Sequence, residues 1–210
     1  MITPLNDYSG TSGRRSGPGE LRSELARKGI HALIALVPTL AAINRSNTAL
    51  FLMGGILFYT GAESLRFLGF STPLISSITS AVLRKREQEH FALGPVTLGL
   101  GALLALLFFP PRAASVAIYA LAFGDSTATL AGRFLGRIRP AFMAGKSLEG
   151  SLACFIAAST ASFFVLHDWK ASLVTGFLSA CAEALPLEDF DNILLPLAAG
   201  LSVYFLEAGI

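Results

Sequence analysis

Charge is what this sequence has least of. Only 14% of its 210 residues are Asp, Glu, Lys or Arg, while 53% are hydrophobic; soluble domains carry about a quarter charged residues. With a mean hydropathy of +0.61, the chain has more apolar surface than one soluble core can hide. That excludes an ordinary soluble globule and makes the bilayer the expected solvent. The net charge of +2 provides no basic field for a nucleic-acid partner. Cysteine is also scarce: Cys154 and Cys181 both fall inside apolar runs. Their spacing suits neither a zinc site nor a disulfide scaffold, so both are expected to be small buried residues.

What is present is a series of apolar segments, at 29–43, 48–67, 91–109, 113–131, 151–166, 171–185 and 193–206. A full span needs about 20 apolar residues. The second, third and fourth segments approach that length, and the others need flanking residues or a polar interior. The first continues a helix begun near Leu21, with Glu24/Lys28 and Arg27/His31 one turn apart. The expected fold is an all-α polytopic integral membrane helical bundle of about seven transmembrane helices. Residues 1–20, rich in Gly, Ser and Pro, read as a disordered tail. Arg14 and Arg15 are not read as an export signal, because no hydrophobic core follows them promptly. Residues 21–210 form a single membrane-embedded domain.

Charge placement supports that count. With the N-terminus in the cytoplasm, 13 of the 16 basic residues fall on the inner side. Only Arg45, Arg112 and Lys170 fall outside, as the positive-inside rule requires. The polar connections 68–90, 132–150 and 186–192 then share the cytoplasmic face, while outer loops such as NRSN and HDWK are short. The first half of 68–90 reads as a helix lying in the interface.

Within the fragment FGDSTATLAG, Asp125 stands where burial is costly. On a helix it shares a face with Thr129 and Arg133, four residues apart. Gly124, Ala128, Gly132 and Gly136 form an adjacent small-residue face that lets another backbone approach closely. Packing accounts for the glycines but not for Asp125, since an ionisable residue in a membrane segment usually faces a partner, an ion or a cavity. Gly145-Lys146-Ser147 leads into the fifth apolar segment, and a helix N-terminus with an adjacent lysine favours phosphate. It is no Walker A motif, because the upstream glycine spacing is missing. In EALPLEDFDN, Glu183, Glu188, Asp189 and Asp191 crowd one connection ending at Asn192. Such hard oxygen ligands suit Mg²⁺, which also takes substrate phosphates and water. Glu183 and Asp191 border the apolar segments and are the stronger candidates. Glu63 and Arg66 pair at i, i+3, as Arg84 and Glu87 do, and His31 lies near the inner end of the first segment.

Taken in order, ELARKGIHAL, ESLR at 63–66, LRKREQEHFALG at 83–94, FGDSTATLAGRFLGR at 123–137, GKSLEGSL at 145–152 and EALPLEDFDNILLP at 183–196 resemble the CTP-dependent lipid kinases. That family includes dolichol kinase, phytol kinase and CTP-dependent diacylglycerol kinase. The resemblance implies an enzyme that moves the γ-phosphate of CTP to the hydroxyl of a membrane lipid alcohol, with Mg²⁺. It puts Asp125, Lys146, Glu183 and Asp191 at the positions expected to matter. Of these we read Asp125, Lys146 and Asp191 as catalytic and Asp125, Glu183 and Asp191 as metal ligands. We read Gly124, Gly132, Arg133, Gly136, Gly145, Lys146, Ser147 and Arg84 as binding the nucleotide phosphates. His31, Glu63, Arg66, Glu87 and Asn192 are further candidates; a carboxylate or His31 takes the hydroxyl proton. The alternatives are a phosphatidate cytidylyltransferase, whose terminal PGHGG signature is missing here, and a non-enzymatic transporter. The short chain and inward basic residues fit a bacterial inner membrane with the site facing the cytoplasm. The acceptor (polyprenol, phytol or diacylglycerol) and the oligomeric state stay open.

Overall fold

The computed structural model of the protein describes residues 28–70 and 91–209. The N-terminal tail, Glu24, Arg27 and most of the 68–90 connection, including Arg84 and Glu87, lie outside the described residues. Among the described residues every regular element is helical. We label the long ones α1 (Lys28–Phe67), α2 (Gly94–Phe108), α3 (Pro111–Phe134), α4 (Leu148–Leu166), α5 (Trp169–Ala184) and α6 (Asp191–Ala208).

The first two apolar segments are joined differently from the expectation. In place of an NRSN loop, the helix continues through a kink at Asn44, whose backbone alone turns extended (φ −155°, ψ 103°). The Asn44 side chain then accepts the N–H of Asn47 at 2.9 Å. Asn44 thus serves as the N-cap of the second half of α1, a role its short amide favours. Sequence reading takes four polar residues for a loop, whereas one capping residue is enough to break the helix.

The remaining ends follow local chemistry. Pro111 opens α3 at a position where the missing N–H is harmless. Ser147 caps α4, its hydroxyl accepting from Gly150 N–H at 3.1 Å. Asp168 caps α5 through the N–H groups of Lys170 and Ala171. Inside α6, Pro196 has no N–H to offer the Asn192 carbonyl. That carbonyl lies where a Cβ on Gly101 would sit, at 2.0 Å, so only glycine lets α2 approach α6 this closely.

Contacts at the helix ends define two poles. At one, Arg45 donates to the carbonyls of Leu106 and Phe109, the latter at 2.6 Å. Nearby, Arg112 donates to the Leu166 carbonyl at 2.6 Å and pairs with Glu207 at 3.2 Å. At the other pole, Glu63 accepts the N–H of Ala92 at 2.9 Å, and Asp189 lies beside Gly94. Each helix, and each half of α1, runs between these poles. Arg45, Arg112 and Lys170, the basic residues set apart by the charge pattern, share the first pole.

The interior and exterior are apolar for different reasons. The core of α3 is small and sealed: Ala113, Val116, Ala117, Ile118, Ala120, Leu121 and Ala122 are all buried. Outside, large residues such as Phe51, Phe58, Phe164 and Phe177 are exposed. The most apolar windows of α1 and α4 are only 17% and 22% buried, against 56% for α3. Apolar helices with so little protein around them need lipid. Among the described residues, α1, α3 and α4 are each long and apolar enough to cross a membrane. Among the described residues the protein is all-helical, with the apolar helices expected of a membrane protein. Cys154 is buried as expected, but Cys181 is exposed on α5, the helix that also exposes Phe177 and Leu178.

Candidate functional site

Asp125 ends a wide helical turn, Ala120–Asp125, set between the two regular halves of α3. Such π-type turns carry an extra residue and recur at functional sites. No sequence pattern announces it. Here it precedes Asp125, which is buried and forms an ion pair with Lys28. His31 Nδ1 lies 2.9 Å from the same carboxylate oxygen. Lys28 and His31 are one turn apart on α1 and present a single face. Sequence reading found His31 but assigned Lys28 only to its own helix; a contact across 97 positions leaves no trace in local spacing.

Facing this group is a second one. Lys146 Nζ sits 3.0 Å from Asp191 Oδ2 and 3.6 Å from Glu183 Oε1, and also donates to the Glu183 carbonyl. The other Glu183 oxygen accepts from Ser151 at 2.8 Å. Asp191 opens α6 ahead of its apolar run. Burial, and after it the Asp125 charge, push its carboxyl above the ordinary aspartate range, against the pull of Lys146. Asn192 turns aside, donating to the Thr97 hydroxyl at 3.1 Å.

Between the two groups is a cavity of about 490 Å³. Asp125, Thr129, Gly132, Arg133, Gly145, Lys146, Ser147, Glu183, Asp189, Asp191 and Asn192 all line it, with Arg139. The Asp125–Thr129–Arg133 face read from the sequence is therefore one wall. Arg139, not singled out by sequence, bonds the Gly132 carbonyl at 2.6 Å and the Gly145 carbonyl. It thereby joins the end of α3 to the Gly145-Lys146-Ser147 stretch, where Gly145 has a positive φ of 90°. Glu149 braces the same connection, accepting from the N–H groups of Arg137 at 2.9 Å and Ile138 at 3.1 Å.

Other candidates sit elsewhere. Gly124 packs against Cys154 and Ala158 of α4 and is not among the residues lining the cavity. Gly136 is pressed against Ser147 and the Gly132 carbonyl, which a Cβ would meet at 2.2 Å; the small-residue face is a helix-packing seam. Glu63 and Arg66 form a two-pronged pair at 2.6 and 2.7 Å, away from the cavity lining.

No group of three His, Cys, Asp or Glu side chains stands ready to cage a metal among the described residues. Mg²⁺ seldom uses such a cage; it takes one or two carboxylates and completes its shell with phosphates and water. Asp125, Glu183 and Asp191, facing one polar cavity, fit that requirement. The arrangement therefore offers carboxylates, a lysine and an arginine to a phosphate-bearing ligand.

No protein-family model matches the chain, and no solved structure does. Curated proteins do. The chain is 28% identical to a CTP-dependent diacylglycerol kinase 1 of Eremothecium gossypii, over 89% of this chain and 68% of that protein. It is 25% identical to the protein of the same name in Schizosaccharomyces pombe, over 88% of this chain and 94% of the relative. It is 27% identical to phytol kinase 1, chloroplastic, of Arabidopsis thaliana, over 88% and 67%. These relatives are fungal and plant proteins and lend no support to a bacterial inner membrane. Their names weigh against the cytidylyltransferase and transporter readings. Similarity over this much of the sequence supports the family its motifs resemble, the CTP-dependent lipid kinases.

Proposed function

We propose that the protein transfers the γ-phosphate of CTP to the hydroxyl of a membrane lipid alcohol, in the class of polyprenol, phytol and diacylglycerol. The observation that carries this reading is convergence. Asp125, Lys146, Glu183 and Asp191 come from three separate motifs and line one polar cavity at one pole of an apolar bundle. Relatives named for this chemistry support it.

Phosphoryl transfer depends mainly on positioning and charge neutralisation. Lys146 and Arg133 neutralise phosphate oxygens, and Arg139 holds the backbone around Gly145 in place. Asp125 and Asp191, with Glu183, would hold Mg²⁺, which when bound would shield the phosphate charge. Lys28, paired with Asp125, positions its carboxylate. His31 or a cavity carboxylate accepts the hydroxyl proton. The chain crosses the membrane seven times, N-terminus inward, with this pole facing the cytoplasm where nucleotides are. The charge pattern and the alternation of the helices between two poles support that topology.

The test uses purified full-length protein in detergent with Mg²⁺, γ-labelled CTP and a panel of the three alcohols. The expected result is label in one lipid with release of CDP. Cytidine retained in the lipid with release of pyrophosphate, or no transfer by folded protein, would overturn the proposal. Unlabelled ATP in excess should compete poorly.

A further inference from the structure

The connection between α3 and α4 is more than a tether. Residues 135–147 form the cavity wall on one side: Met143 and Ser147 are buried there, and Gly145 and Lys146 line the cavity. The other side is apolar and bare. Phe134, Leu135, Ile138 and Phe142 are 63%, 65%, 58% and 76% exposed.

This outward display is fixed in place. Glu149 holds the N–H groups of Arg137 and Ile138, Leu148 N–H bonds the Ile138 carbonyl at 3.0 Å, and Arg139 bonds the Gly132 carbonyl. A loop in water would turn four such side chains inward; this one is braced against doing so. Two observations identify what covers them. The flanking helices α3 and α4 are both apolar and long enough to cross a membrane, so their junction emerges at the membrane surface. Exposed Arg137 stands among the apolar residues, and no acidic residue occurs between Asp125 and Glu149. Apolar residues beside an arginine fit an anionic lipid surface, with the apolar side chains below the headgroups and the Arg137 guanidinium at the phosphates.

We infer that residues 134–142 are seated in the anionic headgroup layer of the membrane, as a fixed apolar keel beside the cavity. The lipid hydroxyl then enters the cavity sideways from that layer and never leaves the interface. The seating stands on its own; the entry route rests on the kinase reading.

Phe142→Trp, in full-length protein whose single tryptophan is removed by Trp169→Phe, reports the seating. The protein is reconstituted in phosphatidylcholine vesicles with or without phosphatidylglycerol. Phospholipids brominated near the headgroup end of the acyl chain should quench most of the emission, more strongly with phosphatidylglycerol present. Aqueous iodide should quench little. Emission quenched by iodide and untouched by brominated lipid would overturn the seating, as would quenching only by bromine near the chain terminus. Ile138→Trp repeats the measurement at a second position.

Phe142→Glu tests the route. The KM for lipid should rise several-fold, with the KM for nucleotide and the kcat at saturating lipid unchanged. An unchanged lipid KM would overturn lateral entry. Quenching in a protein that phosphorylates no lipid would uphold the seating and overturn the kinase reading instead.

Discussion

The two walls of the cavity are built from the same groups in opposite proportions. On the α1–α3 side one carboxylate, Asp125, is shared by two bases, Lys28 and His31. On the facing side one base, Lys146, is shared by two carboxylates, Glu183 and Asp191. They also differ in access. The Lys28 and Asp125 side chains are 4% and 10% exposed, whereas those of Lys146 and Asp191 are 22% and 14% exposed. The first group is the more deeply buried, and of its three residues Asp125 lines the cavity. The second is excess negative and reachable, so an incoming cation or phosphate can replace the lysine contacts. The first is therefore expected to support both folding and function, and the second chiefly function.

The sharpest way to break this division is to neutralise Asp125. Asp125→Asn should lower turnover by at least about 100-fold, the scale for losing a preorganised charge contact. It should also destabilise the protein, because removing one partner of a buried pair costs about 3–5 kcal/mol. Lys28→Met should destabilise similarly. The double variant should regain part of that stability, since neither charge is then left alone, yet stay inactive. Melting curves of the four proteins in one detergent give the coupling directly. Additive losses would mean that the buried pair is not a unit.

Lys146→Met comes next. Turnover should again fall about 100-fold, while stability changes by about 1 kcal/mol, the order for a partly exposed ion pair. Glu183 and Asp191 are then left facing each other, so added Mg²⁺ should raise the melting temperature of this variant more than that of the parent. An equal rise in both would remove Glu183 and Asp191 from any cation site.

Glu149→Ala should have a smaller effect, because Glu149 touches only backbone. Losing its hydrogen bonds to Arg137 and Ile138 should loosen the connection locally and reduce turnover several-fold. Hydrogen exchange at those two amides should speed up, and Glu149→Gln, which keeps an acceptor, should restore much of the protection. Unchanged exchange would show that the loop is braced by other contacts.

Much of the site was legible because it follows helical spacing. Asp125, Thr129 and Arg133 share a face by periodicity alone, and they share a wall in the structure. The small-residue spacing of Gly124 to Gly136 likewise announces a close helix neighbour, which is α4. Lys146 was legible because Gly145-Lys146-Ser147 leads into an apolar run, where a helix N-terminus beside a lysine favours phosphate. Long-range partners were not. Nothing in ELARKGIH says that Lys28 reaches Asp125, and nothing in GRIRP says that Arg139 clasps two carbonyls. Local backbone departures were equally hidden. The kink rests on one asparagine, and the wide turn before Asp125 has an unremarkable alanine-rich sequence, ALAFGD. The fold class survives these gaps because hydropathy is summed over whole segments, while a single contact is not.

The smallest effect on turnover is expected at a pair that sequence reading could not separate from the site. Glu63 and Arg66 form a two-pronged pair, and Glu63 is fully buried. Its partners, however, are Arg66 on its own helix and the N–H of Ala92 just before α2, so it ties two helices together. Glu63→Gln keeps an acceptor for Ala92 but loses the charge that faces Arg66, a loss of about 1–3 kcal/mol. Melting should fall by that amount, with kcat and both KM values unchanged at temperatures where the protein stays folded. A fall in turnover comparable to that of Lys146→Met, without loss of structure, would place Glu63 inside the machinery. The site would then extend beyond the two walls, toward the connection that follows α1.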